Sequence, residues 1–337
     1  MTTTTTQVRL AQRPQGYPDA ATWEVTTAEL PGPTTGQVLV KVDHLSLDPA
    51  MRGWLNDVRS YIPPVGIGEV MRAQGTGTIV ASEHPDYPVG TAVTGMFGVV
   101  EHALSTPADD KTFARIDTDL APSPTWLGAL GMPGMTAYFG LLDVGKLAEG
   151  DTVLVSGAAG AVGSIVGQVA KSRGARVIGI AGGQDKCAWL REIGFDEAID
   201  YRAENPLKRL REVAPKGVDV FFDNVGGEIL DAGLANLAPH ARVVICGAVS
   251  SYNAEKLPDG PRRYMSLLVF RASMTGFVVF DYEDRYPEAV ATIGQMINDG
   301  TLVARETVLE GGVKAFPEAL LGLFKGINTG KLVLAVS

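Results

Sequence analysis

Three glycines at a three-residue spacing, Gly157, Gly160 and Gly163, carry the clearest chemical signal in the sequence. They follow a short β-branched run, Thr152 to Ser156. They precede Val162, Ile165, Val166, Val169 and Ala170, which recur at i, i+3, i+4, i+7 and i+8 as the buried stripe of a helix does. Glycine at such a turn adopts backbone angles closed to other residues and lets the backbone approach a pyrophosphate. The helix opening near Ala161 would point unpaired N–H groups and its positive dipole end at that phosphate. A glycine string alone could equally be a tight packing turn. Strand, turn, helix and a second strand, Val177 to Ile180, all in register, supply the context that a dinucleotide site requires.

The second strand bears on which nucleotide. An NAD site places an acidic residue about 20 residues past the glycines, on the ribose 2′-hydroxyl. Here that region reads Ala181, Gly182, Gly183, with no carboxylate at the strand end. Lys186 follows within one turn, and Tyr201 closes the next strand, expected over Ala198 to Tyr201. A cation without a competing acid suits a 2′-phosphate, so the pattern favours NADP(H). Asp185 is the acid close by, and at a helix start it compensates the dipole. The plainer alternative for Lys186 is a solvated helix residue.

These residues need a scaffold, and the flanking sequence predicts one. Gln184 to Ile193 and Pro206 to Ala214 read as helices, the second with proline in its first turn. Val218 to Asp223 is a buried strand running into Asn224-Val225-Gly226-Gly227, followed by a helix over Glu228 to Leu237 and a strand over Arg242 to Cys246. Arg271 to Asp281 is expected as a last apolar strand at the sheet edge, where two subunits commonly pair, and Tyr286 to Asn298 as an amphipathic helix. Alternation at this spacing argues an α/β fold with a doubly wound parallel sheet.

From Gln7 to about Leu127 the texture is instead all-β, with candidate strands Gln37 to Leu47, Gly75 to Ala81 and Thr91 to Val100 between Gly and Pro punctuation. Leu47 to Trp54 and Ser60 to Pro64 break that rhythm with aromatics and an arginine, a composition common in substrate-facing loops. The alternative is that Asp48 and Arg52 pair locally to fix a loop. From Leu302 the pattern returns to strand, helix (Pro317 to Lys325) and a final strand, Lys331 to Val336. The expected division is a β-rich substrate domain of residues 1–127 and 302–337 around an NADP-binding domain of residues 128–301.

The totals narrow the function classes. A polypeptide of 337 residues with 45% hydrophobic and 20% charged residues can bury a sizeable core as two domains. A net charge of −9 argues against nucleic acid or an anionic membrane as the main partner. No apolar run approaches the roughly 18 residues of a membrane span. Met1 to Gln7 is a threonine run without the regions of a secretory signal, expected to be a frayed tail. Two cysteines, Cys187 and Cys246, make neither a disulfide framework nor a four-cysteine zinc lobe. The histidines, His44, His84, His102 and His240, have no metal-ligand spacing. A cytoplasmic protein is the expectation.

The β-rich N-terminal part, the central Ala158-Ala159 to Gly163 turn with its two glycines, and the C-terminal return resemble the medium-chain dehydrogenase/reductase superfamily. The likeness is to its zinc-independent group of leukotriene 12-hydroxydehydrogenase/prostaglandin reductase, alkenal double-bond reductase and curcumin reductase. It is carried by Leu47–Trp54, Ser60–Met71, Leu130–Tyr138, Val155–Gly167, Ala181–Cys187, Gly194–Tyr201, Asp223–Gly227, Ile245–Asn253 and Gly326–Leu334. The resemblance implies a Rossmann domain beside a GroES-like domain, NADP(H) as cofactor and a homodimer.

It assigns Gly160 and Gly163 to the pyrophosphate, with Ala161, Val162 and Gly182 also touching the cofactor. Lys186 and Tyr201 would hold the 2′-phosphate, and Met132 and Thr136 would face the nicotinamide. Asn224, the stretch of Cys246, Gly247, Ala248, Ser250 and Tyr252, then Phe277, Val278, Val279 and Asn328 would line the rest. Tyr252 matches a tyrosine near the nicotinamide ribose proposed to support an enolate. Arg52, Trp54 and Tyr61 are the expected substrate-pocket residues. Many members carry tyrosine after the Asp-Pro of the N-terminal loop, where this sequence has Ala50.

Zinc-using members polarise an alcohol or carbonyl through thiolate and imidazole ligands. This sequence has no cysteine before Cys187 and reads Gly68-Glu69-Val70 where those members have Gly-His-Glu. The expected reaction is therefore hydride addition to an already polarised carbon–carbon double bond of an enone or enal. Two alternatives stay open: a zinc-free quinone oxidoreductase, and a noncatalytic NADPH-binding sensor.

Overall fold

The computed structural model describes residues 2–256 and 258–336. The protein divides into two compact units, Met1–Leu127 with Glu306–Ser337, and Gly128–Arg305. Residues 302–305 belong with the second unit: Leu302 N–H donates to Met296 O at 3.0 Å, and Val303 N–H to Gln168 Oε1 at 2.7 Å.

The second unit is built on a six-stranded parallel sheet. Its strands are Thr152–Ser156, Arg176–Ala181, Glu197–Asp200, Val218–Asp223, Leu237–Ile245 and Ser273–Gly276. Numbered in sequence order within this unit, they lie in the order 3-2-1-4-5-6, the doubly wound arrangement whose ligand crevice opens at the carboxyl ends of the central strands. The central strands are apolar throughout: Val153, Leu154, Val155, Val220, Phe221 and Phe222 are fully buried, as strands covered on both faces must be.

The helix Ala161–Ser172 packs Ile165, Val166, Val169 and Ala170 inward and ends in Gly174, whose φ of +79° continues the backbone without steric cost. Its Gly167 admits the Phe195 ring, which would lie 1.9 Å from an added Cβ.

Two elements of this unit differ from expectation. The helix after Gly226 spans only Gly227–Leu234, and the strand begins at Leu237 rather than Arg242. Leu237 pairs with Val218, a bulge follows, and His240 takes a φ of +64° before regular pairing resumes at Arg242. The last strand is four residues, Ser273–Gly276, and Phe277 and Val278 leave the ladder before a 3-10 turn over Val279–Arg285. It lies at the sheet edge, paired on one side only among the described residues.

The first unit holds a seven-stranded sheet centred on the antiparallel pair Val38–Leu47 and Gly75–Ser82, with Lys331–Ala335 on the other flank of the former. Expected strand Thr91 to Val100 is in fact Ala92–Gly95 followed by irregular backbone, with His102–Ser105 a separate strand. The threonine run is not a frayed tail. Met1 lies outside the described residues, but Thr3–Leu10 pairs along its length with Trp23–Leu30. Alternation explains it: Thr5 and Gln7 are buried while Thr4 faces out, and threonine's branched Cβ favours extended backbone.

Leu47 to Trp54 is a loop only as far as Pro49, because Ala50–Trp54 forms a short helix. Asp48 does not pair with Arg52. It holds Lys331, whose Nζ lies 2.6 Å from Asp48 Oδ1 and 2.9 Å from Leu47 O, while Ser46 Oγ also donates to Asp48.

Candidate active site

The glycine turn sits where the first strand of the parallel sheet becomes a helix. Gly157 has φ +58°, and the backbone of Gly160 is extended before Ala161 opens the helix. Space explains the third glycine: a Cβ on Gly163 would lie 2.5 Å from Gly157 O and 2.7 Å from Ala158 Cα. No side chain caps this helix, so its first N–H groups, on Ala161, Val162 and Gly163, have no intrahelical acceptor. That is the donor set a phosphate takes up.

A second glycine turn is held against the first. Ser156 Oγ donates to Asp223 Oδ1 at 2.6 Å and accepts from Asn224 N–H at 2.8 Å, while Asn224 Nδ2 donates to Ser156 O at 2.7 Å. Asp223 also accepts from Val225 N–H at 3.2 Å and Gly226 N–H at 3.0 Å. Burial pushes the Asp223 carboxyl up, and those hydrogen bonds oppose the shift. Ser156 and Asp223 are positioning residues that sequence reasoning did not single out. A serine ending one strand and an aspartate ending another carry no local pattern, and they meet only through sheet register. Asn224 is thereby engaged as a brace through its carboxamide.

The following loop clasps the same turn. Ser250 Oγ and N–H both donate to Val225 O, at 2.6 and 3.1 Å. Ala248 N–H donates to the Tyr252 hydroxyl at 3.2 Å, which places that oxygen 2.9 Å from where a Gly247 Cβ would be. Gly247 therefore has a reason to lack a side chain. Desolvation, then the nearby Asp223 charge, pushes the Cys246 thiol up to about 12, so it stays protonated and unreactive at neutral pH. Cys187 is buried and its thiol is likewise pushed up by burial.

At the far strand ends, Gly182 faces the Tyr201 ring: an added Cβ would sit 2.8 Å from Cε1 and from the hydroxyl. Tyr201 follows its strand rather than ending it, since that strand is Glu197–Asp200. Lys186 lies on the helix Gln184–Glu192, half-buried, its ammonium held below the usual lysine range by desolvation first and the Arg202 charge second.

Met132 and Thr136 are the two positions of the helix Met132–Phe139 that are not fully buried, one turn apart on one face. The Thr136 hydroxyl donates to Met132 O at 2.8 Å. Phe277 turns its ring inward, edge-on to Phe222 with centroids 6.4 Å apart, and a Cβ on Gly140 would be 2.5 Å from it. Phe277 thus commits its ring to packing, Val279 is buried and Val278 is half-buried.

In the other unit, Asn328 is buried and donates to Gly330 O at 2.7 Å. Arg52 is 2% exposed, with Nε on Gly16 O at 2.9 Å, Nη1 on Asn56 Oδ1 at 2.7 Å and Nη2 on Pro14 O at 3.3 Å. It ties separate segments together rather than presenting its charge to a substrate. Trp54 is buried beneath the Arg72 guanidinium, 5.5 Å from its ring centroid, and its Nε1 has no hydrogen-bond partner among the described residues. Tyr61 is 55% exposed.

Among the described residues no three His, Cys, Asp or Glu side chains are grouped as a metal ion would need, and no helix is long and apolar enough to cross a membrane.

Comparison with known proteins agrees with this geometry. Residues 6–113 match the family described as N-terminal domain of oxidoreductase, and residues 161–295 that described as zinc-binding dehydrogenase. The sequence is 41% identical to the NADPH-dependent curcumin reductase of Escherichia coli, over 97% of its own length and 96% of that protein's. It is 39% identical to the NADP(+)-dependent 2-alkenal reductase of Nicotiana tabacum, over 98% and 97%. The crystal structure of CurA from Vibrio vulnificus in complex with NADPH superposes with a TM-score of 0.92 at 41% identity, over 98% of this protein and 99% of that one. The chain belongs to the medium-chain dehydrogenase/reductase family, in the group of the NADP-dependent curcumin, prostaglandin and 2-alkenal reductases.

Proposed function

We propose that the protein is an NADPH-dependent reductase of α,β-unsaturated ketones or aldehydes, acting on the carbon–carbon double bond. The observation that carries this is the pairing of an uncapped glycine turn at Gly157–Gly163 with Lys186, and no carboxylate in the strand end Ala181–Gly183, where the 2′-position of the adenosine ribose would lie. The names of the relatives supply the substrate class.

NADPH, when bound, supplies a hydride to the β-carbon. The protein's part is orientation and charge stabilisation. Amides of Ala161 to Gly163 hold the pyrophosphate, Lys186 and Tyr201 hold the 2′-phosphate, and Met132 and Thr136 set the nicotinamide face. The Tyr252 hydroxyl accepts from Ala248 N–H, which polarises it as a donor. In our reading it stabilises the enolate oxygen where negative charge develops, and water protonates the α-carbon. Trp54 and Tyr61 are assigned to the substrate.

The test is NADPH consumption against a panel of enones, enals and quinones, with products identified by mass. Tyr252→Phe is expected to lower kcat on an enone by about 100-fold while the Kd for NADPH moves little. Full turnover by that variant removes the catalytic role. Turnover of quinones with none on enones replaces the substrate assignment.

We also assign a homodimer and a cytoplasmic setting. The edge strand Ser273–Gly276 is exposed at all four positions, and the adjacent helix Ser266–Phe270 exposes Leu268 at 70% and Val269 at 63%. An unpaired edge beside apolar side chains is the surface a second copy would cover. Light scattering on Leu268→Lys/Val269→Lys is expected to give a monomer that still unfolds cooperatively on heating. Monomeric wild type at micromolar concentration removes the assignment. The compartment is inferred from two cysteines that are both unpaired.

A further inference from the structure

We propose that Arg202 is a second cation of the adenosine 2′-phosphate site, acting with Lys186 to select NADPH over NADH. The proposal rests on the NADPH-enzyme reading and adds a specificity residue to it.

The geometry begins with Asp200, which ends its strand nearly buried. Its Oδ1 accepts Gly183 N–H at 2.8 Å and Arg202 N–H at 3.0 Å. One oxygen thus clamps the turn after the second strand to the turn after the third. The carboxylate that would otherwise repel a phosphate is turned onto backbone amides. Arg202 is carried back over the glycines: its Nη1 is the one atom within 4 Å of a Cβ position on Gly183, at 3.9 Å, and its Cζ stands 5.9 Å from the Tyr201 ring centroid. The Tyr201 ring in turn lies on Gly182. Tyrosine and arginine from the turn after the third strand therefore lie over one glycine pair, and Lys186 stands on the helix that follows that pair.

Charge makes the arrangement informative. Arg202 is exposed, and among the described residues no carboxylate lies within ion-pair distance of it. Lys186 feels its charge as a repulsion, after the larger effect of desolvation. Two like charges brought together are unfavourable, and a dianionic phosphate relieves them both. The two cations are also complementary in shape. Lysine offers a compact ammonium, and arginine a planar fork that grips two phosphate oxygens. A ribose bearing only a 2′-hydroxyl would leave the repulsion standing, so the pair selects against NADH as well as for NADPH.

Isothermal titration of the full-length protein with NADPH, NADH and 2′,5′-ADP tests this without turnover. Arg202→Ala is expected to weaken NADPH and 2′,5′-ADP by about tenfold, the loss of one charge-assisted hydrogen bond at an exposed site, and to leave NADH within about twofold. Its binding of 2′,5′-ADP should also fall less steeply with added salt. Wild-type affinity for 2′,5′-ADP in Arg202→Ala, or an equal loss for NADPH and NADH, overturns the role. If Lys186→Ala abolishes discrimination while Arg202→Ala keeps the full preference for NADPH over NADH, Arg202 is dismissed and the NADPH reading stands. A wild-type protein that binds NADH as tightly as NADPH defeats that reading and Arg202 with it.

Discussion

Asp48→Ala is expected to destabilise the β-rich unit by about 3–5 kcal/mol, because it strands a buried ammonium. Lys331 has a side chain only 3% exposed, and Asp48, at 2.6 Å, is its sole carboxylate partner among the described residues. Desolvation already holds the Lys331 ammonium below the usual lysine range, with Asp48 opposing that shift. Without Asp48 the opposition goes and the depression deepens. A basic group whose folded pKa is depressed withholds stability at low pH. The stability is fully present above the unfolded lysine pKa, near 10.4, and is lost as pH falls through the folded value. The variant should therefore gain stability from pH 7 to pH 10 more steeply than the wild type.

Lys331→Met should cost less, about 1–2 kcal/mol, since Asp48 is partly exposed and keeps the Ser46 hydroxyl. Urea unfolding at both pH values checks the order. Equal losses for the two variants would mean that the pair is not a buried charge pair in energetic terms.

Lys331 shows where sequence reasoning stops. Asp48 and its partner are 283 residues apart, whereas the obvious local candidate, Arg52, lies four positions on. Local spacing favours the near pair, and only the antiparallel pairing of Lys331–Ala335 with Val38–Leu47 brings the far one in. The nucleotide unit is legible for the opposite reason. From Thr152 to Ala181 the strand, turn, helix and strand are each specified by residues within the element, through an apolar run, a glycine spacing and a 3.6-residue stripe.

The signal weakens at Leu237, where a strand starts with Leu-Ala-Pro-His, residues without a β pattern. Its pairing with Val218 and the left-handed His240 carry the backbone over a bulge instead. It fails again at Phe277, an apolar residue in an apolar run, whose ring is claimed by Phe222 and the gap at Gly140. At the candidate site, the glycines and Lys186 could be singled out by type and spacing. Ser156, Asp223 and Arg202 could not, because each matters through a neighbour set by sheet order.

The glycine turn gives a second large effect, and a pair of variants separates phosphate binding from packing. Gly163→Val is expected to weaken NADPH binding by about 100-fold, equal to about 2.7 kcal/mol. Its Cβ would meet backbone on two sides, Gly157 O at 2.5 Å and Ala158 Cα at 2.7 Å, and backbone cannot swing away as a side-chain tip can. The turn must open, which moves the helix N-terminus off the phosphate and forfeits one or two charge-assisted N–H bonds of about 1.5–3 kcal/mol each. At Gly160 the one close atom among the described residues, its chain neighbours aside, is Gly157 O, at 3.2 Å, and the backbone there is extended. Gly160→Ala should therefore fold normally, with any loss of affinity arising from the methyl group meeting the ligand itself. NADPH fluorescence titration, alongside thermal unfolding without ligand, reads both. If Gly163→Val binds NADPH as the wild type does, the turn tolerates opening and is not where the pyrophosphate is held. If Gly160→Ala loses affinity while its unfolding is unchanged, the surface at Gly160 is where the ligand lies closest to the protein, since nothing in the fold itself would have moved.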